Sequence, residues 1–387
     1  MIPRELSAKA LLLAAQFPVV VCTGPRQSGK TTLVKSAFGG KPYVSLEDHD
    51  MREYARTDPR GLLAQYGDGA IFDEIQHVPE LLSYVQTNVD ADGRCGRFIL
   101  TGSHNILLQQ GVSQSLAGRA AYVELLPLSI GEITAANIPA GSAAQSIVRG
   151  QYPRIVAGSA EPADFYPNYV RTYVERDVRA VKNITDLRAF GTFLRLCAGR
   201  VGQLLNLSSL AIEAGVTHQT IRSWLGILEA SYIVYLLQPL HAVISKRLIK
   251  IPKLYFYDTG LAAYLLGLRS AEQTETHYLR GELFENLVVT EMIKSRLNKG
   301  LQPDLSFFRD KTGNEVDIIA EWNPSLAVEI KASATPSDAM FKGLRFLGSL
   351  LDFPPERRYV VYSGEQTQPR TAGTLVGWEH SGKIGAG

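Results

Sequence analysis

Cysteine is scarce in this 387-residue sequence: Cys22, Cys95 and Cys197 are widely spaced and form no C-x-x-C pair. An odd number of scattered cysteines excludes a disulfide framework and fits a reducing compartment, so a cytoplasmic location is expected. No uninterrupted apolar run approaches the roughly 18 residues that span a bilayer, which excludes a helical membrane anchor within the sequence. Lys9 followed by Ala10–Ala15 imitates a signal peptide, but Glu5 sits in the would-be positive region and Val19–Val21 leads straight into a glycine-rich loop. That stretch reads instead as a short helix followed by a buried strand. Charge of one sign is missing too. Forty Lys and Arg against 38 Asp and Glu leave a net charge of +2, so any surface for nucleic acid has to be local. There is no internal repeat and no low-complexity block.

What is present is apolar material for several cores, with 45% hydrophobic residues and a length that implies about two to three domains at roughly 150 residues each. Between Phe17 and about Glu132, the runs Val19–Cys22, Tyr43–Leu46, Ala70–Phe72 and Arg97–Leu100 alternate with helix-length segments. Short all-apolar runs of this kind predict a parallel sheet covered on both faces.

The sharpest motif is Gly24-Pro25-Arg26-Gln27-Ser28-Gly29-Lys30-Thr31, a full match to G-x-x-x-x-G-K-[ST]. It follows an apolar strand and opens a helix, Thr31 to Phe38 with Thr32 in its first turn, so backbone N–H groups and the helix terminus can cradle phosphates. Lys30 is expected to neutralise the β and γ phosphates of ATP, and the Thr31 hydroxyl to ligate Mg²⁺. Asp73, ending the run Ala70–Phe72, is the second metal residue, and Glu74 beside it is placed to polarise the attacking water. Thr101-Gly102-Ser103 ends another strand, where the Ser103 hydroxyl either meets the γ phosphate or belongs to a plain turn. Arg119 has two readings. It stabilises charge on the transferred phosphoryl group, in its own subunit or a neighbour's within a homo-oligomer, or it is an ordinary salt-bridged surface arginine.

These segments, with Leu116-Ala117-Gly118-Arg119, Gly150-Gln151-Tyr152-Pro153, Tyr173–Val178, Tyr257-Asp258-Thr259-Gly260-Leu261 and Gly281 onward, resemble the prokaryotic AAA-type ATPases that carry a C-terminal domain of unknown function. The resemblance runs along nearly the whole chain and implies an ATPase of the AAA superfamily.

Two further modules are expected. Ser208–Ala211, Gly215, Thr217 and Thr220–Leu225 have helix-turn-helix spacing, with Ile221, Leu225 and Leu228 inward and Gln219, Arg222 and Ser223 outward. Strands at Ile233–Leu237 and Leu254–Tyr257 flank a basic loop holding Lys246, Arg247, Lys250 and Lys253, which completes a winged helix. It either binds DNA or packs on its own ATPase module. Farther on, Asp317 on one strand and Glu329-x-Lys331 on the next match restriction-endonuclease-like sites, with Glu285 as a third acid. In that reading Asp317, Glu329 and Glu285 bind a metal and Lys331 positions water; the competing reading is an ion-pair network in a partner-binding domain. Ser381–Gly387 reads as a disordered tail.

The expectation is therefore an α/β chain. A P-loop NTPase domain with a parallel sheet occupies residues 1–150, a helical region with a winged helix 151–270, and a restriction-endonuclease-like α/β domain 271–387. It either hydrolyses ATP to control a nucleic-acid module or uses ATP as a conformational switch for partner contacts.

Overall fold

Valine- and isoleucine-rich runs without polar alternation are stable only as strands covered on both faces. In the computed structural model, which describes residues 2–103, 116–174, 186–240, 250–351 and 353–385, they form β1 (Val19–Thr23), β2 (Tyr43–Ser45), β3 (Ala70–Asp73) and β4 (Phe98–Gly102). A fifth strand, β5 (Ala120–Glu124), extends the sheet. Its residues alternate between buried and exposed because it lies at the edge. The order is β2-β3-β4-β1-β5, all parallel. Parallel strands deliver all their C-terminal ends to one rim, where ligands of such sheets bind. Helix α1 (Leu6–Ala14) packs beside β1, and α2 (Lys30–Ala37) leaves from it.

The middle segment places a helix at Leu187–Ala198, α3 (Leu207–Ala214) and α4 (His218–Ala230) ahead of an antiparallel pair, β6 (Val234–Pro239) and β7 (Lys253–Phe256). Gly215 ends α3 at φ 69°, and Thr217 Oγ1 caps α4 by accepting from Thr220 N at 3.1 Å. Ile221, Leu225 and Leu228 are buried, and Trp224 packs against Phe190 and Phe193. Lys246 and Arg247 of the basic loop lie outside the described residues, as do Glu175, Arg176 and Asp177.

The C-terminal segment runs α5 (Arg280–Asn298), β8 (Leu305–Arg309), β9 (Glu315–Ala320), β10 (Leu326–Lys331), α6 (Lys342–Leu351), β11 (Arg358–Tyr362), β12 (Gln368–Arg370) and β13 (Gly373–Gly377). β6 pairs in parallel with β8, giving one eight-stranded sheet in the order β12-β13-β11-β10-β9-β8-β6-β7. The boundary expected near residue 270 therefore crosses a continuous sheet, and a single apolar core runs from Leu126 to Ile384. The tail expectation is also corrected: Trp378–Lys383 forms a 3₁₀ turn with Trp378 and Ser381 buried, and Ser295 Oγ donates to Gly382 O. Trp378 and Ile384 supply the apolar anchors that a glycine-rich stretch otherwise lacks.

Candidate functional site

The glycine-rich loop turns at the end of β1. Gly24 has φ +144°, and a Cβ there would fall 2.1 Å from Leu125 O, so only glycine fits. Gly29 is left-handed at φ 95° and caps α2. Pro25 and Ser28 are buried within the loop, Arg26 and Gln27 are half-buried, and Thr32 is exposed on the first turn of α2. Lys30, 5% exposed, bends back so that Nζ donates to Gly24 O at 2.9 Å and Pro25 O at 2.8 Å. Burial pushes its ammonium below the usual lysine range, against the opposing pull of Glu74 and Asp73.

Asp73 closes β3 and gathers hydroxyls. Thr31 Oγ1 donates to Asp73 Oδ2 at 2.9 Å, Tyr43 OH donates to the same oxygen at 2.6 Å, and Thr101 Oγ1 donates to Asp73 Oδ1. Glu74 follows in a left-handed conformation, φ 57°, with its N–H on Thr101 Oγ1 at 3.2 Å. Its Oε2 accepts from Ser103 Oγ at 3.2 Å and from Gln76 Nε2. The rim thus brings Lys30, Thr31, Asp73, Glu74 and Ser103 together from the ends of β1, β3 and β4. Ser28 Oγ is buried without a partner among the described residues. An orphaned hydroxyl, a glycine cradle and a Thr/Asp oxygen pair all fit a nucleotide phosphate with its Mg²⁺.

Arg119 is not part of this rim. Its carbonyl accepts from Val19 N, so it stands where β1 begins, at the opposite edge from the loop where β1 ends. There Arg119 Nη2 donates to Asp90 Oδ2 at 2.9 Å. The sheet direction removes a role toward its own subunit's nucleotide.

Sequence reasoning passed over several residues. Arg4 Nη1 donates to Ser28 O at 2.7 Å while its Nε pairs with Glu132 at 3.0 Å, tying the loop to the exit of the sheet. Tyr43 signals itself only as the first residue of β2. Tyr232 OH and Thr23 Oγ1 share a buried hydrogen bond of 2.9 Å, one residue before Gly24. Tyr232 sits between α4 and β6 with φ 57°, and it also bonds Glu124 at the end of β5.

The C-terminal acids do not form the expected metal centre. Lys253, assigned above to the basic loop, is 3% exposed rather than solvated. Its Nζ lies 2.8 Å from Glu285 Oε1, 2.5 Å from Glu315 Oε1 and 3.8 Å from Asp317 Oδ1. Asp317 Oδ2 accepts from Ile330 N at 2.8 Å, and Lys331 Nζ pairs with Glu329 Oε1 at 2.6 Å. Among the described residues no three His, Cys, Asp or Glu side chains converge as a ligand set. Glu285, Asp317 and Glu329 are thus corrected from metal ligands to partners of Lys253, a backbone N–H and Lys331, and Lys331 from a free catalytic group to an ion-pair partner. Burial, reinforced by Asp317, pushes Glu285 up to about 7 and Glu329 up to about 8.

The motif at Gly150 and Asp258 is structural. Asp258 accepts from Gln151 N at 2.8 Å, Tyr166 OH at 2.6 Å and Leu261 N at 3.0 Å, locking the segment behind the loop.

Residues 16–134 match the family described as AAA domain, residues 141–272 a Domain of unknown function (DUF8612), and residues 280–379 a Domain of unknown function (DUF4143). Uncharacterized protein Rv2008c of Mycobacterium tuberculosis and Uncharacterized protein Mb2031c of Mycobacterium bovis are each 29% identical over 372 residues, covering 95% of this chain and 81% of theirs. Among solved structures, the Walker-type ATPase PABY2304 of Pyrococcus abyssi aligns at 16% identity and TM-score 0.45, over 68% of this chain and 96% of that one. AMPPCP-bound DnaA from Aquifex aeolicus aligns at 14% and 0.32, over 58% and 86%. Residues 16–134, which hold the P-loop, thus match an AAA domain, and no helix among the described residues is long and apolar enough to cross a membrane.

Proposed function

We propose that this chain is a Mg²⁺-dependent ATP hydrolase whose nucleotide state is passed to a nucleic-acid-associated winged helix. The observation that carries the proposal is the contact of Thr31 with Asp73, with Glu74 and Ser103 alongside. Thr31 and Asp73 would hold the metal, whose charge would draw electron density from the phosphate oxygens. Lys30 exchanges its two loop carbonyls for phosphate oxygens. Glu74, fixed by Ser103 and Gln76, accepts the proton of the attacking water, and Ser103 orients that water or the γ phosphate.

Tyr232 supports the route to the second module. It joins the residue before the phosphate loop to the end of α4, so a change in the loop reaches the helix that presents Gln219 and Arg222 to solvent. Three helices followed by the antiparallel β6–β7 pair support the winged-helix reading, and exposed Lys250 supplies a phosphate contact. The succession α5-β8-β9-β10-α6-β11 supports a restriction-endonuclease-like origin for the C-terminal domain. Its carboxylates, neutralised by Lys253 and Lys331, favour the second reading of that domain: a partner-binding module without cleavage. Calorimetric titration of ATP with Mg²⁺ into the full chain tests the first step. Binding that survives Lys30→Ala undiminished refutes the role given to the loop.

A further inference from the structure

Tyr43 stands outside the phosphate loop, at the start of β2, yet its hydroxyl donates to Asp73 Oδ2 at 2.6 Å, the short span of a hydrogen bond to a charged acceptor. In register Tyr43 lies beside Ile71, so its side chain reaches two residues along β3 to meet the carboxylate. The ring is held in place. Lys35 Nζ, from α2, sits 3.4 Å from its centroid, and Ser45, on the same face of β2, is hydrogen-bonded to its hydroxyl. On the far side of the carboxylate Thr101 Oγ1 donates to Oδ1, while Thr31 Oγ1 lies across both oxygens, 2.9 Å from Oδ2 and 3.2 Å from Oδ1. An ionised carboxylate offers about four acceptor positions. Three hydroxyl protons fill three of them and hold both oxygens, so one position remains.

Thr31 also serves the metal in the reading above, and Thr101 also takes the Glu74 N–H, so Tyr43 is the donor that can be removed without disturbing either. Mg²⁺ dehydrates reluctantly and keeps several waters, whereas Ca²⁺ collects more oxygen ligands and readily takes both oxygens of one carboxylate. We propose that Tyr43 is a metal-specificity residue of the phosphate-loop site: by occupying Oδ2 it leaves Asp73 one acceptor position, which suits a hydrated Mg²⁺ and denies Ca²⁺ a two-oxygen grip. The proposal rests on the reading of Thr31 and Asp73 as the metal residues, and it adds what selects the ion.

The test is calorimetric titration of a β,γ-methylene ATP analogue, which resists hydrolysis, into the full chain in EDTA, in Mg²⁺ and in Ca²⁺, for native protein and Tyr43→Phe. The substitution removes the hydroxyl and keeps the ring under Lys35. Native protein should bind the analogue more tightly with Mg²⁺ than with Ca²⁺. Tyr43→Phe should narrow that ratio of dissociation constants by about tenfold, through tighter binding with Ca²⁺, which is the weight of about one hydrogen bond to a charged group. Binding in EDTA should be the same in both chains. A native chain that gains nothing from Mg²⁺ over EDTA refutes the metal site itself and the proposal with it. Where Mg²⁺ does tighten native binding, an unchanged ratio in Tyr43→Phe overturns the proposal alone. So does a Tyr43→Phe chain that has lost binding in EDTA, since Tyr43 is then a packing residue behind the loop.

Discussion

Glu291 and Lys294, one turn apart on α5, join the ATPase domain to the C-terminal sheet through a buried ion pair, 2% and 1% exposed. Lys294 Nζ donates to Glu291 Oε1 at 2.8 Å and to Leu128 O at 3.0 Å, with Gln151 Oε1 at 3.5 Å, and Glu291 Oε2 accepts from Ile130 N at 2.7 Å. Glu291→Gln turns one of two acceptor oxygens into a donor facing donors and leaves the ammonium buried without a counter-charge. Lys294→Met leaves the carboxylate in the same position. Each single change should cost about 3–5 kcal/mol, a large part of the roughly 5–15 kcal/mol that holds a domain folded. The double variant buries no charge. Its remaining loss is the unsatisfied Leu128 and Gln151 oxygens, at about 1–3 kcal/mol each, so it should lose about 2–6 kcal/mol rather than the sum of the singles. Urea titration followed by tryptophan fluorescence and far-ultraviolet dichroism reads all four chains. Additive losses, or singles that unfold with the native chain, would refute the reasoning.

The Glu329 carboxyl, raised in the folded chain from the ordinary 4.5 to about 8, binds its proton more tightly folded than unfolded. Its contribution to stability therefore falls as pH rises between those values. Glu329→Gln should flatten the decline in melting temperature between pH 5 and 8; an unchanged slope contradicts the assignment. Gln219→Ala with Arg222→Ala should weaken duplex DNA binding, and each lost phosphate contact should reduce the log–log salt slope by about 0.9. Native protein without salt-dependent DNA binding would make α4 an internal packing element.

The grouping of Lys30, Thr31, Asp73 and Glu74 at one rim was legible because their pattern is local: Gly24 to Thr31 are contiguous, and Asp73 and Glu74 follow a buried apolar strand directly. Lys253 was not, because its partner acids lie 32 or more residues away and a lysine in a basic loop looks solvated. Its position at the head of Leu254-Tyr255-Phe256, a strand with no polar alternation, is the signal that marks it as buried. Arg119 kept two readings because the direction of β5 decides which rim its residues reach, and an edge strand with an exposed Tyr122 carries little pattern. Helix α5 hides its role in another way. Asn286, Glu291 and Lys294 look like a solvent face, yet they are buried and spent on backbone groups of distant segments, as when the Asn286 amide bonds both Phe256 N and Phe256 O.

Steady-state phosphate release with Mg²⁺, paired with ATP binding on the same samples, tests the central claim that Glu74 activates water while Lys30 holds phosphate. Native protein should hydrolyse ATP, Lys30→Ala should lose binding, and Glu74→Gln should keep binding while turnover drops about 10²–10⁴-fold. A Glu74→Gln chain that turns over ATP at the native rate would contradict the account.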